Sequence, residues 1–169
     1  SFPTRRSSDL NPTRLVATEV DQHLGAGLTE ILNGGGGNDL FVLGPNDSTV
    51  MANGGSEDDF FMISSDAGLS SGTVDNINGD IHINAGSGLF NRIFINDSGG
   101  TGNGDVEVTN NSIKGIAPGD IFYQTSGTFL NPTILEPNGI HIVGSKTDGD
   151  TFTVKSTLSG STTLVDTLG

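Results

Sequence analysis

The chain has 169 residues, of which 26 are glycine and none is cysteine, and its formal net charge is −13. This length is enough for one domain with a substantial core, and the missing thiols exclude disulfide bonds and thiolate metal sites. The 7 basic residues are too few to neutralise a run of phosphates, which excludes nucleic acid as a partner. No apolar run approaches the roughly 20 residues of a membrane-spanning helix, so we expect no membrane insertion. The acidic excess suits oxygen-rich sites for a hard cation such as Ca²⁺.

The first ten residues, Ser1–Leu10, differ in character from the rest of the chain. They hold Arg5 and Arg6, two of its 7 basic residues, and they resemble the translation of a sequencing-adapter oligonucleotide. We therefore predict that residues 1–10 are an artefact of sequence assembly or a disordered tail, and leave them out of the fold. On this prediction the chain is a fragment of a longer protein.

Residues 11–28 form a lead-in with two alternative structures. Apolar residues recur there every four positions, which is typical of a helix, but Gly25 and Gly27 each cost a helix about 1 kcal/mol relative to alanine. The alternative is a pair of strands around Leu15–Val20 and Leu28–Leu32, joined by a glycine turn. We favour the strands because the rest of the chain has a strand pattern.

One pattern recurs from Thr29 onward. It consists of a short apolar strand ending in Asn, a glycine-rich corner ending in an acid, and a second strand that contains an aromatic residue. The equivalent positions of the first two copies are each 20 residues apart: Asn33 and Asn53, Asp39 and Asp59, and Phe41 and Phe61. A shared period of this size indicates repeats that stack on one another.

A third copy ends its first strand at Asn84, 31 residues after Asn53, so we predict an insertion in the loop Ser64–Asn78. More short strands, separated by turn residues, are predicted downstream: Val106–Thr109, Ser112–Ile116, Asp120–Gln124, Thr133–Leu135, Ile140–Val143, Thr151–Val154 and Thr162–Asp166. The chain stops within a repeat. We therefore expect residues 29–169 to be a repeat domain that is truncated at both ends.

Such strands are too short to form a stable sheet alone, and we predict that they stack in parallel around a shared interior. The expected fold is all-β: a parallel β-helix or β-solenoid, similar to a β-roll. Glycine permits the positive φ of tight corners, and Asn or Asp at equivalent corners can form ladders. The period of two within each strand predicts these inward side chains: Ile31, Phe41, Leu43, Val50, Phe61, Ile63, Ile81, Ile83, Ile93, Ile95, Phe152 and Val154.

The first corner, Gly34–Val42, fits the nine-residue pattern G-G-x-G-x-D-x-U-x at every fixed position, U being a large apolar residue. It resembles the calcium-binding repeats of RTX toxins and secreted proteases. The resemblance implies a parallel β-roll in which the carboxylate of Asp39 binds Ca²⁺ between successive turns. It also implies carbonyl ligands at Gly35 and Gly37, with Asp59 as the acid of the second copy. The alternative is that both acids cap turns.

The other corners depart from the nine-residue pattern. Gly54–Met62 has Glu57 in place of the third glycine, and Ala85–Ile93 has no acid. Ser145–Thr153 keeps Asp150 without the glycines. We therefore predict that Asp150 is a turn acid and not a ligand.

Over residues 29–169, the alternation of Gly-Asn-Asp corners with short strands is similar to the β-solenoid repeats of very large secreted bacterial adhesin-like proteins. The resemblance implies a structural or adhesive segment of a secreted or cell-surface bacterial protein. It implies Ca²⁺ as a stabilising partner, and surface carbohydrate or host matrix components as further partners. Two alternatives remain: a carbohydrate-active β-helix enzyme, such as a polysaccharide lyase or hydrolase, and a carbohydrate-binding adhesin module.

No convincing catalytic constellation is found in the sequence, so we predict no enzyme. Gly68–Gly72 matches the G-x-S-x-G nucleophile elbow, with Ser70 as its serine. That motif needs a strand before it and a helix after it, and the flanking residues have neither pattern.

Overall fold

The computed structural model describes residues 27–66, 71–102, 104–130, 139–147 and 149–168, and the main chain of residues 15–17. These residues form strands and turns and no helix, which confirms the predicted all-β class. Residues 1–10, most of the lead-in and the strand predicted at Thr133–Leu135 lie outside the described residues. In the lead-in, Leu15–Ala17 is a strand, as the two-strand alternative predicts.

The strands form two sheets. One has six strands, all paired in parallel, in the order β1-β3-β5-β7-β11-β13: β1 (Leu15–Ala17), β3 (Asp39–Leu43), β5 (Phe60–Ile63), β7 (Arg92–Asn96), β11 (Ile140–Val143) and β13 (Thr163–Asp166). The other has seven strands in the order β12-β8-β9-β10-β6-β4-β2: β2 (Thr29–Gly36), β4 (Thr49–Ser56), β6 (Ile81–Asn84), β8 (Asp105–Val108), β9 (Ser112–Lys114), β10 (Ile121–Gln124) and β12 (Thr151–Val154).

From β2 to β7, consecutive strands alternate between the two sheets, and the strands two places apart pair in parallel: β2 with β4, β3 with β5, β4 with β6, and β5 with β7. The register follows the predicted repeat. Asn33 lies opposite Asn53, and Asn53 lies opposite Asn84. The interval between Asn53 and Asn84 is longer because residues 64–80 connect β5 to β6, whereas residues 44–48 connect β3 to β4. The predicted stacking of these three asparagines is therefore confirmed.

Both sheets contribute to one hydrophobic core. Alternate residues of each strand point into it, as the geometry of a strand requires: β3 buries Phe41 and Leu43, and β4 buries Val50 and Ala52. The predicted inward residues from Phe41 to Ile95 are buried, and Phe152 is half-buried against the core.

The prediction of an inward side chain is wrong at two positions, Ile31 and Val154. Ile31 pairs with Met51, which is 40% exposed, whereas Leu32 pairs with the buried Ala52 and packs against the core. The register with β4 fixes this phase, since a period of two sends Leu32 and Ile31 to opposite faces. Val154 is 50% exposed because its strand, β12, lies at the edge of the seven-stranded sheet beside β8.

The prediction that all strands pair in parallel is also wrong for one strand, β9. β9 pairs antiparallel with β8 and with β10, and all three strands belong to the seven-stranded sheet. Only residues 109–111 connect β8 to β9. A connection this short permits a hairpin and not the crossover that parallel neighbours need.

Candidate functional site

The two predicted carboxylate ligands, Asp39 and Asp59, occupy equivalent places next to each other. Each directly precedes one of two opposed residues, Leu40 of β3 and Phe60 of β5. The main-chain N–H of Asp39 donates a hydrogen bond to Asp59 Oδ1 at 2.9 Å. Asp39 is 6% exposed and Asp59 is 1% exposed, which is rare for acids. The fold therefore brings these two predicted residues into one buried corner.

A third residue, Asn91, extends this pair, and the three residues Asp39, Asp59 and Asn91 are here called the corner column. The main-chain N–H of Asp59 donates to Asn91 Oδ1 at 2.9 Å. The repeat pattern misses Asn91 because the corner that starts at Asn84 is one residue longer than the corner before it. Asn91 could have been found by counting back from the next strand. The three column residues directly precede three residues that lie opposite one another in the sheet: Leu40, Phe60 and Arg92.

Glycine at the start of each corner makes room for the carboxyl groups. A methyl group added to Gly34 would overlap Asp39 Oδ2, and one added to Gly54 would overlap Asp59 Oδ2. Each acid thus folds back over the first glycine of its own corner. Neither glycine has a positive φ, so these two positions require glycine for space and not for backbone conformation.

The predicted carbonyl ligands, Gly35 and Gly37, have φ values of 100° and 99°, which glycine adopts without strain. Gly35 pairs with Gly55, and the Gly35 carbonyl oxygen lies where a methyl group on Gly55 would overlap it. In the next copy, the carbonyl oxygen of Gly55 accepts a hydrogen bond from the N–H of Ser87 at 3.0 Å. The carbonyl groups of Gly35 and Gly55 are therefore directed at the next copy of the repeat.

Burial changes the protonation of Asp59. It raises the pKa of Asp59 from 3.8 to about 7; the hydrogen bond from the Asp39 N–H lowers this pKa, and the nearby charges of Asp39, Asp58 and Glu57 raise it. Asp59 Oδ2 is buried without a hydrogen-bond partner. A buried carboxylate oxygen that lacks a donor is costly, so the environment raises the pKa of Asp59.

The described donors only partly fit Ca²⁺. In the part of the chain that the structure describes, no three or more His, Cys, Asp or Glu residues lie close enough together to hold a metal ion. Calcium takes about six to eight oxygen ligands, whereas the corner column offers two carboxyl groups and one carboxamide. A calcium ion at Asp39 and Asp59 would depend on main-chain carbonyl oxygens, such as those of Gly35 and Gly37, for the rest of its shell.

Asp97, beside the insertion, is another buried acid. Burial raises the pKa of Asp97 to about 6; a hydrogen bond from the Val74 N–H, at 2.9 Å, lowers it, and the charges of Asp75 and Asp150 raise it. Asp75 in turn accepts hydrogen bonds from the N–H and the hydroxyl of Thr101, both at 3.3 Å. These acids hold the insertion against the loop that follows β7.

Two further acids near the insertion cap turns. Asp66 accepts a hydrogen bond from Ser64 Oγ at 3.0 Å. Asp150 accepts one from the Ser145 N–H at 2.8 Å, the kind of contact that a turn acid makes. Ser70, the serine of the G-x-S-x-G match, lies outside the described residues. Hydrogen bonds within their own turns favour a structural role for these two acids over paired acid and base catalysis, which needs a tuned cleft.

The described residues include no helix that is long and apolar enough to cross a membrane. Comparison of the chain with protein-family models, with curated proteins and with solved structures found no match. The function of the chain is therefore inferred from its own strand pairing and corner chemistry.

Proposed function

We propose that this chain is a segment of a β-solenoid and that its function is structural, as a spacer repeat of a larger secreted or cell-surface bacterial protein. The observation that supports this most is the alternation of β2 to β7 between two sheets, with parallel pairing throughout. One strand of each sheet, together with the corner that joins them, is here called a rung. Secretion, adhesion and contact with surface carbohydrate or matrix components rest on the resemblance of residues 29–169 to adhesin-like repeats.

Contacts between adjacent rungs support a spacer function. On the outer surface, Asn53 Nδ2 donates to Asn33 Oδ1 at 2.9 Å. At the corner, the N–H of Asp58 donates to Asn38 Oδ1 at 3.0 Å. Each of these pairs joins residues 20 positions apart in the sequence. In such an array the stability is roughly a sum of rung and neighbour contributions, so the length of the array can grow with the number of copies.

Removal of one whole rung should leave a folded protein. Because Asn33 and Asn53 occupy equivalent positions, deletion of residues 34–53 joins Asn33 to Gly54 and keeps each strand in its sheet. Deletion of residues 34–43 removes only half a period and sends every later strand to the wrong sheet. Far-UV circular dichroism and thermal melting should show cooperative unfolding for the first deletion and none for the second. Equal damage by both deletions would contradict the solenoid.

Calcium stabilisation of the corner stays a prediction, and it carries a defined pH dependence. Asp59 is ionised only above about pH 7, so a proton and Ca²⁺ would compete for the same carboxyl group. At about pH 8, calcium at about 100 times its Kd should add about 2.7 kcal/mol of stability. At about pH 5, below the pKa of Asp59, it should add almost none.

Thermal melting in calcium and then in chelator, at both pH values, measures this effect. Asp39→Asn should abolish it, because the substitution removes one of the two charged ligands. Asp47→Asn is the matched control: Asp47 is exposed, and asparagine keeps the oxygen that accepts the hydrogen bond from Asn78. A melting temperature that is the same in calcium and in chelator at both pH values would show that the corner does not bind calcium.

A further inference from the structure

The outer face of the six-stranded sheet carries a row of side chains in register. The row lies on the side opposite the core, because the alternate residues point inward; in β11 these are Ile140 and Ile142, both 0% exposed. Strand pairing places one residue of each of β3, β5, β7, β11 and β13 in this row: Val42, Met62, Phe94, His141 and Leu164. His141 is the ionisable member of an otherwise apolar row.

His141 is buried in this row without a hydrogen bond. It is 9% exposed, and neither of its ring nitrogens has a hydrogen-bond partner among the described residues. On one side its ring lies against Phe94, with the ring centroids 5.1 Å apart, and on the other it lies opposite Leu164 of β13. A neutral imidazole has one N–H donor and an imidazolium has two. Protonation would therefore add a charge and a further unpaired donor to an apolar site.

The charged groups on the described elements beside His141 do not compensate for burial of that charge. Burial lowers the pKa of His141 from its usual 6.5, and the negative charge of Asp166 in β13 raises this pKa by less. Asp166 is exposed, so water and salt screen it. β7 carries the positive Arg92, and the described part of the loop after β11 carries Lys146 and Asp150, whose charges are opposite. The surroundings of His141 therefore favour the neutral ring.

Of the two strands that flank His141, β13 is held less firmly. It lies at the edge of the six-stranded sheet and pairs there with β11 alone, whereas β7 pairs with both β5 and β11. Leu164, opposite His141, is 42% exposed. The N–H groups of Ile140 and Gly144 each donate to a carbonyl oxygen of the segment 162–166 at 2.9 Å. Loss of packing at His141 would therefore separate β13 from the sheet more easily than β7.

We infer that His141 is an acid-sensitive joint between β11 and β13, at which protonation of the ring releases β13 from the six-stranded sheet. A buried imidazolium needs hydrogen-bond acceptors or water, and movement of the edge strand gives the ring access to water with the least rearrangement. Release of β13 would uncover the edge of β11 for pairing with another strand. This inference is independent of the spacer function, because it depends only on the contacts of His141 with the strands beside it.

The direction of the pH dependence follows from the direction of the shift. The folded protein binds a proton at His141 less tightly than the unfolded chain does, where the pKa is about 6.5. The stability that the buried neutral ring contributes is complete above about pH 7.5. It is lost as the pH falls below about 6.5 towards the lower pKa of the folded state. We therefore expect β13 to be held at neutral pH and released in mild acid.

Hydrogen exchange of the whole chain at about pH 7.5 and about pH 5.5 tests this inference. The protection factors of the Ile140 and Gly144 amides report the pairing of β11 with β13. The amide of Ser64, which donates to the carbonyl oxygen of Leu43 at 3.1 Å, reports the pairing of β5 with β3. In the wild type, acidification should lower protection at Ile140 and Gly144 about fivefold or more relative to protection at Ser64.

The substitution His141→Phe removes the ionisation and keeps an aromatic ring beside Phe94, so the acid-induced loss of protection should disappear. His82→Phe is the matched control. It removes a histidine from the outer face of the other sheet, where His82 is half-buried and stacks on Phe122 with the ring centroids 4.8 Å apart. This control should lose protection at Ile140 as the wild type does. A loss of the same size in His141→Phe would overturn the inference, since another group would then be responsible.

An equal loss at Ser64 and Ile140 would also overturn the inference, because acid would then loosen the whole fold and not its edge. If His141→Phe does not fold, the wild type decides alone: unchanged protection at Ile140 between the two pH values would show that no such joint exists. Neither calcium nor a rung deletion enters these measurements, so this inference and the proposed function can fail separately.

Discussion

The substitution Gly55→Ala should destabilise the protein by about 3 kcal/mol or more. Gly55 has a φ of 114°, and alanine in such a conformation costs about 1–3 kcal/mol. The added methyl group would also overlap the carbonyl oxygen of Gly35 in the neighbouring strand. Since parallel pairing holds both main chains in place, this overlap should add about 1–3 kcal/mol.

Gly35→Ala is the matched control that separates these two costs. Gly35 is the equivalent residue of the preceding strand, and its φ is 100°. Nothing lies within 4 Å of a methyl group added there, so only the conformational cost of about 1–3 kcal/mol should appear. Chemical denaturation of the wild type and both variants measures the difference. Equal losses would mean that the carbonyl of Gly35 is not held against Gly55.

Phe61→Ala should cost about 3–5 kcal/mol, the usual loss for a fully buried phenylalanine. Phe61 is 0% exposed, and its ring stacks on Phe41 with the ring centroids 4.7 Å apart. On its other side it pairs with Ile93 of β7. Truncation would leave a cavity between Phe41 and Ile93, because the strands that carry these two residues hold them apart. It would also remove an aromatic pair worth about 0.5–1.5 kcal/mol.

The control for this substitution is Phe90→Ala. Phe90 is 38% exposed and lies in the corner between β6 and β7. Its truncation should change the free energy of unfolding by less than about 1 kcal/mol. Thermal or chemical denaturation compares the two variants. A loss at Phe90 as large as the loss at Phe61 would contradict the position of the core.

Strand pairing in the first three copies could be predicted because the same landmark residue, an asparagine, recurs in each copy. Asn33, Asn53 and Asn84 each follow an apolar stretch of sequence, so alignment of the sequence at these residues also aligns the strands in space. The side chains that fill the core followed from the period of two. Ile31 shows the limit of that method: a short strand with apolar residues at adjacent positions, Ile31 and Leu32, has two possible phases, and only the partner strand decides between them.

The corner column could be predicted only in part. Asp39 and Asp59 keep the spacing of the nine-residue pattern, whereas Asn91 follows a corner with one extra residue and has a neutral side chain. A pattern with a fixed spacing from the first glycine therefore does not align Asn91 with the two acids. The burial of Asp59 could not be predicted either, because it depends on neighbours that are distant in sequence, such as Asn91. The antiparallel pairing of β9 could not be predicted either. A short connection can lead the chain to the other sheet or back into the same sheet, and the local sequence does not show which of the two occurs.

The 20-residue register between Asn33 and Asn53 has a mechanical consequence. In a solenoid pulled from its ends, each rung is attached only to its neighbours and detaches singly. A rung of this length would release about 70 Å of extended chain. The antiparallel strand β9 interrupts that series, since short connections tie β8, β9 and β10 into one unit. Under tension the chain would lengthen in steps that follow the length of each rung, with one further step where those three strands separate together.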